Sequence, residues 1–130
     1  LKNELKNRND VEVLSAGTGV FLHSSASAET VSALHKRGID ALVHQSQPLN
    51  SILLKKSDLI LVMTRGPRQQ VFERVPVVEN RVYQLKEFVH KHSGYDTNLD
   101  IPDPIGRSSE AYEECIITIE EAGTKLVNLI

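Results

Sequence analysis

Asp103 stands directly before Pro104 and three residues before Gly106, in a polar stretch ahead of a long segment with an apolar stripe. Proline disfavours helical backbone in the residue before it, so the carboxyl of Asp103 is held on extended chain. A carboxyl so held, reaching over the edge of a sheet, can serve as a general acid. Asp-Pro-x-Gly is also an ordinary turn, and spacing alone does not separate the two readings. His44 follows Ala41-Leu42-Val43 and precedes Gln45-Ser46, a position that suits a hydrogen-bonding buttress or an exposed loop residue equally. Cys115 lies between Glu114 and Ile116 with no glycine-rich loop, histidine or arginine around it, so it reads as a core thiol rather than a nucleophile. The five histidines do not pair with carboxylates at metal-ligand spacing, and no metal or other cofactor is expected. Gly17 and Gly19 could cradle an anion, yet their spacing fits neither a dinucleotide fingerprint nor a P-loop.

These residues need a scaffold, and its organising stretch is Ser57-Asp-Leu-Ile-Leu-Val-Met-Thr64. The apolar run Leu59 to Met63 does not alternate, which marks a parallel strand buried on both faces. Thr64-Arg-Gly-Pro67 stops it at its carboxyl end, the edge where open parallel sheets bind ligands. Further strands are expected at Val11–Leu14, closed by Ser15-Ala-Gly-Thr-Gly19, and at Val82–Leu85. Between them the spacing predicts helices over 26–37, capped by Ser27 and ended by Gly38, and from Pro48 to Lys55. Two more are predicted over 67–75 and 87–90. Residues 94–104 read as a polar loop. Ser109 is expected to cap a final helix to about Asn128, with Tyr112, Cys115, Ile116, Ile119, Ala122 and Leu126 on one stripe. Strands alternating with helices make the fold class α/β, a small open three-layer parallel sheet.

Composition narrows the rest. One domain suits 130 residues, and 15 basic against 17 acidic side chains leave a net charge of −2, with no basic field for nucleic acid. No apolar stretch has transmembrane length and no signal peptide is visible, so no membrane partner is expected and a cytoplasmic setting is the default. A single cysteine excludes a disulfide framework. Leu1 to Arg8 resembles the last turns of an amphipathic helix, with Leu1 and Leu5 four apart. A parallel β-α-β unit needs a strand before such a helix. With Leu1 in first place, the chain is expected to start inside a larger domain.

Four segments together resemble the low-molecular-weight protein tyrosine phosphatase family, and most of all its bacterial branch that includes protein-arginine phosphatase. They are Val11-Glu-Val-Leu-Ser-Ala-Gly-Thr-Gly19, His44-Gln-Ser-Gln-Pro-Leu49, Ser57-Asp-Leu-Ile-Leu-Val-Met-Thr-Arg-Gly66 and Asp103-Pro-Ile-Gly106. The resemblance implies a four-stranded parallel sheet of order 2-1-3-4 and hydrolysis of phosphorylated protein side chains through a cysteinyl-phosphate. It implies Asp103 as the acid, Phe21 as the aromatic wall of the pocket, His44 as a brace and Ser15 on the floor beneath it. Ile105 stands where family members that act on tyrosine carry an aromatic. The family's Cys-x5-Arg-Ser loop has no counterpart in these residues, and strand 1 is expected to be missing with it. The 130 residues alone are therefore expected to be inactive, the alternative being a non-catalytic phosphatase-like interaction module.

Overall fold

The computed structural model describes residues 1–90 and 98–130. Its centre is the strand pair β1 (Ile60–Val62) and β2 (Val82–Gln84), which run parallel in the register Ile60 opposite Val82, Leu61 opposite Tyr83 and Val62 opposite Gln84. Successive side chains of a strand point to opposite faces. Ile60 and Val62 therefore join one apolar cluster with Leu54, Val71, Val75, Val78 and Val82. Leu59 and Leu61 join another, with Leu85, Val89, Ile101, Ala122 and Leu126. An unbroken apolar run is what a strand between two cores requires, and the central run fulfils that expectation.

Helices cover both faces. α1 is Ala28–His35 and α2 is Ser51–Lys56, the first capped by Ser27 Oγ on the Thr30 amide and the second by Asn50 Oδ1 on the Leu53 amide. α3 (Arg65–Arg74) leaves the carboxyl end of β1 and leads through a 3-10 segment, Pro76–Arg81, into β2. α4 (Leu85–His90) follows without a loop, and α5 (Ser109–Val127) closes the chain. α2, α3 and the 3-10 segment supply the first cluster. α4 and α5 supply the second, and α1 packs on the outside of α5. Gly38 has φ 71°, the left-handed geometry that ends α1.

Several expectations are corrected. Val11–Leu14 forms no ladder with β1 or β2, and the regular sheet among the described residues has two strands. An apolar alternation makes a segment fit to be a strand, but only a neighbour at hydrogen-bonding distance makes it one. Absence of pairing between Val11–Leu14 and β1 agrees with the order 2-1-3-4, in which these two strands are not neighbours. Leu1 to Arg8 is a run of turns rather than a regular helix, tied by Leu5 N on Leu1 O at 3.0 Å, with Leu5 buried. The cap of α5 is Ser108, whose Oγ accepts from Ala111 N, not Ser109. The α5 stripe holds at Tyr112, Ala122 and Leu126, with Cys115 and Ile116 half-buried and Ile119 exposed. On α1 the buried residue is Ala33, with Val31 and Leu34 half-buried and Ala28 exposed. The expected loop from Gly94 lies outside the described residues as far as 97 and is irregular from 98 to 104.

Candidate active site

Asp103 reaches the sheet through its own backbone. Ile101 N donates to Met63 O at 2.9 Å, at the carboxyl end of β1, and Ile101 is buried in the second cluster. That anchor sets Asp103 two residues beyond the strand edge. Its Oδ1 accepts from Ile105 N at 3.0 Å, and Arg107 N closes the turn on Pro104 O at 3.0 Å. Gly106 has φ 73°, which an L side chain adopts only with strain, so the glycine is a requirement of this turn. The Asp-Pro-x-Gly pattern is thus a turn, and the turn itself fixes the carboxylate. Ile105 is 75% exposed at its tip.

Ser15, Phe21 and His44 lie on loops that backbone hydrogen bonds tie to one another. Gly17 N donates to Gln47 O at 2.9 Å and Leu49 N to Gly17 O at 3.0 Å, so residues 15–17 run beside 47–49. The Ser15 carbonyl accepts from Gln47 Nε2 at 2.8 Å. Ser46 N on Ser24 O, at 2.9 Å, ties the far end of the loop that carries Phe21. Phe21 is 92% exposed, an apolar ring standing in solvent. His44 is exposed, and among the described residues its ring has no partner. The histidine of these loops that makes a contact is His23, whose Nδ1 lies 2.6 Å from Ser46 O, beside the Ser24 and Ser46 hydroxyl pair at 3.0 Å. His23, Ser46 and Gln47 were not singled out as site residues from sequence, because their partners lie on chain that only the fold brings near. Among the described residues no hydrogen bond or ion pair joins this group to the Asp103 loop.

Cys115 is half-buried on α5, with Sγ 3.9 Å from Pro102 O, next to the Asp103 loop. Burial pushes its thiol pKa up, and the negative charge of Asp103 pushes it further. A thiol is a nucleophile only as thiolate, so this environment suppresses its reactivity. Among the described residues no three histidine, cysteine or acidic side chains gather to hold a metal ion, and no helix is long and apolar enough to cross a membrane.

The chain thus carries an aspartate turn at a strand edge and, on separate loops, an exposed aromatic. The profile of the low molecular weight phosphotyrosine protein phosphatases matches residues 1–130. The chain belongs to that family. A protein-arginine-phosphatase of Bacillus subtilis is 33% identical over 112 residues, 86% of this chain and 71% of the relative. Among solved structures, an arginine phosphatase from Geobacillus stearothermophilus superposes with a TM-score of 0.84 at 31% identity, covering 96% of this chain and 77% of its own. A low molecular weight protein tyrosine phosphatase from T. tengcongensis gives 0.87 at 28% identity, covering 99% and 85%. This phosphatase domain therefore has both arginine and tyrosine phosphatases among its relatives.

Proposed function

We propose that these residues serve hydrolysis of a phosphorylated protein side chain, with Asp103 as the general acid. Support comes chiefly from the anchored turn, which offers a carboxyl group at the carboxyl edge of β1. In the reaction a cysteine thiolate attacks phosphorus and the bond from phosphorus to the leaving atom breaks. The proton of Asp103 goes to that atom, and the resulting carboxylate then takes a proton from the water that cleaves the cysteinyl-phosphate. Phe21 supplies an apolar wall, and Ser15 and His44 support the phosphate-binding side. The thiol does not come from Cys115, whose raised pKa keeps it protonated. No Cys-x5-Arg-Ser pattern occurs in the 130 residues, so turnover belongs to a protein in which such a loop accompanies them.

The substrate we read is phosphoarginine. Ile105 and Gly106 follow Asp103-Pro104 where an aromatic would stack on a phenyl ring, a packing term of about 0.5–1.5 kcal/mol. An aliphatic, charged side chain loses little by that exchange, and two of the relatives named above are arginine phosphatases. The test compares kcat/KM on phosphoarginine and phosphotyrosine peptides in a protein supplied with the nucleophile loop. A preference for phosphotyrosine of about tenfold, or about 1.4 kcal/mol in transition-state binding, would overturn the arginine reading. The 130 residues alone should turn over neither an aryl phosphate nor phosphoarginine. Turnover that disappears with Cys115→Ser would reverse the assignment of the nucleophile.

A further inference from the structure

An open cleft of about 440 Å³ lies beside the candidate active site, lined by Arg65, Arg68, Gln69, Phe72, Gln84, Glu87 and Leu99. Two of these are arginines, and they are not equivalent. Arg68 is held in place: Nη1 is 3.1 Å from Glu87 Oε2, and its guanidinium carbon sits 5.4 Å from the centre of the Phe72 ring. Its Nε is buried and has no hydrogen-bond partner among the described residues. Arg65 is exposed and has no partner among the described residues. The carboxylates nearby are already engaged. Glu87 accepts from Arg68 and from Gln84 N at 3.2 Å, and Asp100 accepts from Gln84 Nε2 at 2.6 Å. Of the two lining arginines Arg68 is matched by Glu87, while Arg65 has no carboxylate partner among the described residues.

Leu99 lines this cleft, and Asp103 follows four residues later on chain anchored at Ile101. Extended chain spans at most about 3.3–3.6 Å per residue, so the Leu99 wall of the cleft lies within about 14 Å of Asp103 along the backbone. We propose that the cleft is a substrate subsite that takes the carboxylate of an aspartate or glutamate two to four residues from the phosphorylated one. Arg65 is its donor, beside Arg68 held on Glu87. This rests on the reading of Asp103 as the acid of a phosphatase and adds a preference for acidic flanking sequence.

The test is a charge swap read by binding. Two phosphoarginine peptides, alike but for Glu or Lys three residues from the phosphoryl group, are titrated into the chain and into Arg65→Glu and Arg65→Ala. The Glu peptide should bind the parent chain at least about threefold more tightly. That preference should vanish in Arg65→Ala and reverse in Arg65→Glu, with circular dichroism confirming that both variants fold. Equal binding of the two peptides, or a ratio unchanged by both substitutions, would overturn the subsite and leave the phosphatase reading standing. If neither phosphopeptide binds, the outcome that fits residues without a Cys-x5-Arg-Ser loop, triglutamate is titrated while the side-chain Nε–H resonance of Arg65 is followed. A shift would keep the carboxylate cleft; an unmoved resonance would dispose of it.

Discussion

At the scale of single residues, Asp103 shows how a turn can hold a carboxylate in place. Its Oδ1 is bound to the Ile105 amide, and its charge adds to burial in raising the pKa of the Cys115 thiol. In a protein with the nucleophile loop, Asp103→Asn should lower turnover by about 10²–10⁴ on a poor leaving group and far less on a very acidic phenol. Equal losses across leaving groups would assign Asp103 to loop positioning alone. Cys115 should react with iodoacetamide more slowly than a free thiol at the same pH, because burial and the Asp103 charge both raise its pKa; a rate equal to that of glutathione would contradict this. Far from the site, hydrogen bonds from Arg8 lower the pKa of Asp10 to about 2. A depressed carboxylate contributes stability that is present above its unfolded pKa of about 3.9 and is lost as pH falls through about 2. The Asp10 side-chain carbon should titrate near 2 by NMR and move back toward the ordinary range in Arg8→Ala.

Elements were legible in the sequence where a local rule decides them. The run from Leu59 to Met63 could be read as a two-faced strand because nothing polar interrupts it and Gly66 and Pro67 cut it off. α5 could be read from its stripe, although its cap was placed one residue late, since Ser108 and Ser109 are equally suited to capping. Removing the Ser108 hydroxyl with Ser108→Ala should cost about 1 kcal/mol in urea unfolding, whereas Ser109→Ala should cost a few tenths at most. Val11–Leu14 was less legible, because pairing is a property of two segments and only one of them is local. The 3-10 segment at Pro76–Arg81 was missed for a related reason: proline there reads as a break, yet Val78 is fully buried and pins the segment to the first cluster. The candidate site divided the same way. Asp103 announced itself by the residues beside it, while His23 and Gln47 act on carbonyls more than twenty residues away.

Across the whole molecule, two apolar clusters share one short strand pair, and α1 is fastened to α5 by ion pairs. Arg37 reaches Glu113 at 3.0 Å and Glu120 at 3.3 Å, contacts that raise its pKa and link the outer helix to the second cluster. Leu54→Ala in the first cluster and Leu126→Ala in the second should each cost about 2–5 kcal/mol. Both should shift a single unfolding transition, since β1 contributes side chains to both clusters; two separable transitions would show that the faces melt independently. Among the described residues β1 is hydrogen-bonded along one edge only, to β2. Backbone donors and acceptors on its other edge lie beside half-buried Leu61 and exposed Met63, with no proline or charge inside the strand to deter a newcomer. Such an edge is a template for a strand from another chain. Its practical outcome is colloidal: light scattering after dilution from urea should grow steeply with protein concentration, and scattering that stays flat over a rise of about tenfold would contradict it.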